Sequence, residues 1–270
     1  VVKKVNIFLL CYYSYDVLDA VLTRLSEVTK YENYDVFLVD NRSINSESVK
    51  EVAKKHIEIG GLKKAYFFNK NYMSNSIREV IDANLDCDVI CFGDYDALID
   101  LPKDDSCWLS EFVEKLESDS KAGVLQFSSK NPPLVGKPLA ERGKKRIDDT
   151  WTMFGWANGH YITMLKETYL SYKNYKKPPI IVDGEFMIYV DRHLYSKTGI
   201  YRLRYDKNSV INLSSDICGV SNESKGEVKR DNKYLSDRQR TLRGGRNNEG
   251  IGFFDFIPVE ISKNTCTILE

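Results

Sequence analysis

The sequence predicts an α/β fold: a mostly parallel sheet with helices on both faces, followed by a basic C-terminal appendage. Three observations predict it. Short apolar runs alternate with stretches of helical periodicity through roughly the first hundred residues. The apolar runs are continuous rather than alternating, as strands covered on both faces require. Each run ends in a polar cluster, where a strand leaving such a sheet can present side chains to a ligand. At 270 residues, 42% hydrophobic and 29% charged, the chain can bury a large core. Although ~150 residues per domain suggests two domains, open α/β sheets reach this length as one body. We therefore expect a body over 1–215, with halves at 1–100 and 101–215, and an extension over 216–270.

Asn6–Cys11 reads as the first strand, and Val17, Leu18, Val21, Leu22, Leu25 and Val28 then fall on one helical face. Asp35–Val39 is the second strand, followed by a helix around Val49, Val52 and Ala53. Ala65–Phe68 is the third, followed by a helix carrying Ile77, Val80 and Ile81, and Val89–Phe92 is the fourth. A helix near Trp108–Leu116 and a strand near Gly123–Phe127 come next, then a Pro- and Gly-containing loop from Asn131 to Arg146. The chain resumes at Trp151–Tyr161, with a helix after Lys166, a loop at Pro178-Pro179 and a helix near Gly184–Tyr195. Short strands near Tyr201–Tyr205 and Val210–Leu213 complete the body.

Bulk properties narrow the function. Lys plus Arg and Asp plus Glu both number 39, so no net field draws the whole chain to nucleic acid or anionic lipid. The apolar runs are far shorter than the ~20 residues of a bilayer-spanning helix. The expected location is cytoplasmic, with peripheral membrane attachment left open. Six cysteines, at 11, 87, 91, 107, 218 and 266, form no CxxC pair and are expected to be reduced and half-buried.

Chemistry concentrates at the strand exits: Cys11-Tyr12-Tyr13-Ser14, Asp40-Asn41-Arg42-Ser43, Asn69-Lys70-Asn71 and Gly93-Asp94-Tyr95-Asp96. Asp94 and Asp96 follow the fourth strand with one residue between them. Paired hard oxygen donors of this kind suit Mg²⁺ or Mn²⁺, which is commonly held by one or two carboxylates together with substrate phosphate. Two solvated turn acids are the plainer alternative.

These segments resemble the family 2 glycosyltransferases and their GT-A relatives, nucleotide-diphospho-sugar transferases in which the first strand ends in a P-T-Y-N-like turn, the second in V-D-N/D-x-S and the fourth in D-x-D. The resemblance covers the first hundred residues well and the next 110 more loosely. It implies a GT-A catalytic domain in which Tyr13 stacks on uracil, Asp40 accepts a hydrogen bond from the base, and Asp94 and Asp96 serve the ribose and the metal. Asn71 and Arg78 would approach the donor nucleotide, although Tyr72-Met73-Ser74 departs from the family's small residues and Arg78 could equally be a solvated helix residue.

In the second half the resemblance implies sugar or acceptor contacts from Trp156, Gly159 and His160. It implies a catalytic base at Asp183, with Glu185 as the other candidate; Asp183 could instead cap a helix. The later His that many members add to the metal is missing from Ile211-Asn212-Leu213-Ser214-Ser215, leaving Asn212 or water in its place. The basic stretch from Lys225 to Arg246 reads as a lid over the diphosphate, a footing for a phosphate-bearing acceptor, or a solvated face.

The expected activity is metal-dependent, inverting transfer of a sugar from a nucleotide-diphosphate donor, UDP favoured, to a hydroxyl of a glycan or lipid-linked glycan. Acceptors on modified DNA or protein remain alternatives, with nucleic acid not favoured. A sugar-phosphate nucleotidyltransferase fits less well, because Cys11–Asp16 contains no Gly, Lys or Arg for a phosphate-binding loop. A non-catalytic nucleotide-sugar-binding module is the remaining alternative.

Overall fold

The computed structural model describes residues 1–11, 15–43, 45–72, 74–101, 107–129, 145–153, 160–175, 198–213, 250–251 and 257–270. Strands β1 (Val5–Cys11), β2 (Tyr34–Asp40), β3 (Lys64–Phe68) and β4 (Val89–Asp94) alternate with helices α1 (Tyr15–Val28), α2 (Ser46–Glu58) and α3 (Ser74–Ala83). The chain continues through β5 (Ala97–Asp100), α4 (Trp108–Ser118), β6 (Ala122–Ser129), β7 (Lys145–Arg146), β8 (Trp151–Met153) and β9 (Ile162–Leu165). A helix α5 (Lys166–Tyr175) and strands β10 (Tyr201–Asn212) and β11 (Cys266–Leu269) follow.

The eleven strands among the described residues belong to one sheet, in the order β11-β3-β2-β1-β4-β9-β6-β10-β8-β7, with β5 paired to β10. The block β3-β2-β1-β4 is parallel throughout. Its order reverses direction at β1: β2 and β3 build outward on one side, β4 on the other. This reversal opens a crevice beyond the carboxyl ends of β1 and β4, where open α/β sheets place their ligands. Beyond it, β9 runs antiparallel to both β4 and β6, whereas β10 is parallel to β6.

Alternation along the strands divides the core between the two faces. Val5, Ile7, Leu9 and Cys11 of β1 face α1, α2 and α4, whereas Phe8 turns to the side covered by α3 and α5. All six apolar positions expected on the face of α1, from Val17 to Val28, are buried. At ~1.5–3 kcal/mol for each fully buried side chain, as an upper estimate, such a face holds its helix far more strongly than local propensity does.

The second half is anchored by an aromatic cluster of Trp108, Phe112, Phe127, Trp151, Tyr161 and Tyr205. The Trp108 indole N–H donates to Thr29 Oγ1, just past the end of α1, at 3.0 Å in a buried setting. Thr29→Val keeps the shape and leaves that N–H unpaired. The expected loss is ~1–3 kcal/mol of stability, read as a lower denaturant midpoint at unchanged slope; an unchanged midpoint would mean the bond contributes nothing net.

The last described residues join the sheet. Residues 266–269 return to the sheet and pair with β3, Cys266 opposite Phe68 and Leu269 opposite Ala65, and Lys64 Nζ meets Glu270 Oε1 at 2.7 Å. The last residues therefore form an edge strand of the sheet beside β3. The basic stretch 225–246 lies outside the described residues.

Candidate functional site

The site is built by register. In the β1–β4 ladder Leu10 lies opposite Asp94, and the Tyr95 amide donates to the Leu10 carbonyl at 3.0 Å. This carries the parallel pairing one residue past the end of β4 and fixes the Asp94-Tyr95-Asp96 turn at the crevice between β1 and β4. Tyr95 is buried on the α1 side of the sheet, so the acids flanking it leave that core.

Two further ties hold the turn. The Leu213 amide donates to the Asp96 carbonyl at 2.8 Å, as β10 pairs with β5 and brings Asn212 opposite Ala97. The Tyr161 hydroxyl donates to the Ala97 carbonyl at 3.1 Å. Burial, with Cys91 and Asp96 nearby, pushes the Tyr161 phenol upward, so it remains a donor throughout the physiological range. Tyr161 adopts φ 50°, an uncommon conformation for an aromatic residue, and thereby bends the entry to β9 beside the turn.

Within this frame Asp96 is only 6% exposed, and its Oδ1 is buried without a hydrogen-bond partner. A buried carboxylate oxygen left unpaired is costly, since charge removed from water needs compensation. A divalent cation would supply it, so the residues present fit the metal that the sequence implies. No group of three or more His, Cys, Asp or Glu side chains suited to a metal occurs among the described residues.

The second strand exit is also ordered. Asp40 is 1% exposed; its carboxylate accepts from the Ser43 amide at 3.2–3.3 Å and from the Ser43 hydroxyl. Burial raises its pKa, opposed by the bonds from Ser43 and the neighbouring Cys11 thiol. The sign is that of a buried acid: ionising Asp40 costs folding stability as pH climbs from its unfolded value to its raised folded one. The loop closes tightly enough to put Arg42 at φ 62°, a left-handed conformation costing ~1–2 kcal/mol in a non-glycine residue. The Asp40–Ser43 turn and a base contact are compatible, because a carboxylate has lone pairs beyond those Ser43 uses.

Asn41 bridges to the third exit. Its Nδ2 donates to Asn71 Oδ1 at 2.7 Å, and its Oδ1 accepts from the Tyr72 amide at 2.8 Å. The exits of β2 and β3 are therefore one unit, with Asn71 inside it. Arg78, on α3, is 2% exposed, which removes the solvated-helix alternative. Its guanidinium contacts Glu79 Oε1, Asn75 Oδ1 and the Ile257 carbonyl.

His160 is buried just before Tyr161. The β4–β9 register, with Phe92 opposite Ile162, runs toward Asp94 on one strand and His160 on the other. Tyr13, Trp156, Gly159, Asp183 and Glu185 lie outside the described residues. No sequence motif marks Asn75, Tyr161 or residues 257–270 as parts of the site. Only the last left a signal, a short β-branched run at Thr265–Ile268.

No protein-family model and no curated protein matches the chain in sequence. Solved structures do match in fold. The mannosyltransferase PcManGT from Pyrobaculum calidifontis, in complex with GDP-Man and Mn²⁺, aligns at a TM-score of 0.58 and 12% identity, covering 92% of this chain and 66% of that one. GalNAc-T7 with UDP, GalNAc and Mn²⁺ aligns at 0.58 and 11%, covering 78% and 44%. TarS from S. aureus aligns at 0.53 and 14%, covering 79% and 61%. The chain thus spans between 44% and 66% of the length of these proteins, and it has the GT-A fold.

Proposed function

We propose that this chain is a metal-dependent glycosyltransferase that moves a sugar from a nucleoside diphosphate donor to an acceptor hydroxyl. One observation carries the reading: the Asp94-Tyr95-Asp96 turn sits at the sheet's reversal point with a buried, unpartnered Asp96 oxygen. Support comes from the fold, whose solved examples include complexes of GDP-Man with Mn²⁺ and of UDP with Mn²⁺.

In this reading Asp96, with Asp94, would hold Mn²⁺ or Mg²⁺, which when bound neutralises charge on the departing diphosphate. Tyr161 and Leu213 hold the turn so that the carboxylates need no reorganisation. Asp40 accepts a hydrogen bond from the base, and its burial makes that bond strong. Tyr13 stacks on the ring. These two favour a UDP-linked sugar. Trp156, Gly159 and His160 line the sugar and acceptor side, and Asp183 or Glu185 takes the proton from the attacking hydroxyl, with inversion at the anomeric carbon. The acceptor class is a glycan or lipid-linked glycan. No helix among the described residues is long and apolar enough to cross a membrane.

The test is a thermal-shift panel of UDP, GDP, CMP and dTDP sugars, with and without Mn²⁺. A ligand at a hundred times its Kd stabilises the folded state by ~2.7 kcal/mol. The expected result is a shift for UDP-sugar that needs Mn²⁺ and shrinks about tenfold in apparent affinity in Tyr13→Ala, since base stacking is worth ~1–3 kcal/mol. Shifts independent of metal, or absent for every nucleotide, would overturn the reading.

A further inference from the structure

We infer that Asn75 and Arg78 are positioning residues that couple the C-terminal segment, at Ile257, to the loops at the ends of β2 and β3. The functional half of this inference rests on the nucleotide-donor reading above; the mechanical half does not.

The chain of contacts is continuous and polar. Ser43 is held by the Asp40 carboxylate at the end of β2. Asn41, next to Asp40, donates to Asn71 Oδ1 at 2.7 Å and accepts from the Tyr72 amide at 2.8 Å. The Tyr72 carbonyl in turn accepts from Asn75 Nδ2 at 2.9 Å. Asn75 Oδ1 then accepts from Arg78 Nη1 at 3.0 Å and from the Ile257 amide at 3.3 Å, while Arg78 Nη2 donates to the Ile257 carbonyl at 3.3 Å. Asn75 and Arg78 thus take both polar groups of a single residue that lies 179 positions from Arg78. Ile257 precedes Pro258, whose ring biases it toward the extended backbone that can present both groups.

The C-terminal segment also reaches the β3 exit directly. The Asn69 amide donates to the Thr265 carbonyl at 3.0 Å and its Nδ2 to the Asn264 carbonyl at 2.7 Å, and the Tyr72 hydroxyl returns to Asn69 Oδ1 at 3.2 Å. The loop between β3 and α3 is therefore gripped from both sides, by Asn41 and by residues 257–265.

Packing alone does not explain this arrangement. Arg78 is 2% exposed, and its charge is met by Glu79 Oε1 at 2.6 Å, so the clamp requires removing a guanidinium from water. An apolar residue would seat Ile257 with less desolvation. What a charged fork adds is fixed geometry, because its donors bond only in defined directions. The direction fixed here leads to the two loops that would receive the nucleotide. By linkage, whatever steadies Ile257 steadies those loops, and a nucleotide that orders them must tighten the hold on Ile257 by the same free energy.

The experiment is residue-resolved amide hydrogen exchange on the full chain, wild type against Asn75→Ala, Arg78→Gln and Arg78→Lys, followed by UDP affinity with Mn²⁺. Arg78→Gln and Asn75→Ala are expected to speed exchange at Ile257 at least tenfold. They should also speed it several-fold at Tyr72 and Ser43, whose amides bond to neither mutated side chain. The Leu38 amide in β2 serves as the control for global destabilisation and should not change. Arg78→Lys keeps a cation and one donor and should recover part of the effect. UDP affinity should fall ~3- to 10-fold in Asn75→Ala, and in wild type UDP should slow exchange at Ile257.

Faster exchange at Ile257 with Tyr72 and Ser43 unchanged would overturn the coupling. If Asn75→Ala does not fold, the two Arg78 variants decide it on the same amides. If wild type binds no nucleotide, the donor reading falls, while the exchange data still decide whether the connector exists.

Discussion

Asp96→Asn is expected to lower sugar transfer by on the order of 10²-fold or more and to abolish its dependence on added Mn²⁺, while leaving the chain folded. The asymmetry follows from where Asp96 makes its contacts. Its main-chain carbonyl holds Leu213 and so ties β10 to the turn, but a side-chain substitution leaves that bond in place. Its side-chain Oδ1 is buried and pairs with nothing, so in the metal-free protein the carboxylate is a burden that the fold carries. An amide of equal size relieves the buried charge, and the melting temperature without metal should equal or exceed that of wild type. The same change removes an anionic ligand, weakening the stabilisation of negative charge on the leaving diphosphate, an effect of several kcal/mol at one tenfold per 1.36 kcal/mol. Turnover titrated with Mn²⁺, alongside thermal denaturation without it, separates the two effects. A variant that keeps wild-type Mn²⁺ dependence would remove Asp96 from the metal site, and one that melts much earlier would make Asp96 a structural residue.

The sequence made the parallel block legible because each of its elements carries its own signal. Four apolar runs and three periodic helices need no knowledge of their neighbours to be read, and the D-x-D turn could be placed because it directly follows Val89–Phe92. The elements that escaped depend on partners. Ala97–Asp100 is four residues after a turn and becomes β5 only because β10 lies beside it. Tyr201–Asn212 reads as two strands because Asp206-Lys207-Asn208 interrupts its apolar pattern; the fold keeps one strand and absorbs the break as a register irregularity between Tyr205 and Ser209.

The site follows the same division. Asp40, Asn71, Asp94 and Asp96 could be singled out because strand ends and spacing expose them, and the structure places them at the exits of β2, β3 and β4. Arg78 could not be assigned a setting, because its carbonyl partner at Ile257 is distant in sequence and its acidic partner, Glu79, adjoins it without any helical-pair spacing. The Asp40 carboxylate closes a turn onto Ser43, a role that its place at a strand end does not by itself announce.

Asp183→Asn should leave donor affinity near wild type and lower transfer ~10²-fold or more, the usual share of a positioned general base. The described carboxylates at the strand ends are already committed. Asp40 holds the Ser43 amide and hydroxyl, and the proposed function assigns Asp94 and Asp96 to the metal. A base that had to shed its cation to accept a proton would be a poor one, so the proton acceptor should come from the later half, where Asp183 and Glu185 stand two residues apart. At the start of the helix that the sequence predicts, positions two apart project ~200° from one another, so Asp183 and Glu185 are expected to hold different tasks. Replacing the base with its amide preserves size and removes only the lone pair that takes the proton, which should appear in kcat at saturating donor and not in the donor Kd. Glu185→Gln should then be milder. Wild-type turnover in Asp183→Asn with loss in Glu185→Gln would exchange the two roles, and full activity in both would require a mechanism in which no enzymic base deprotonates the acceptor.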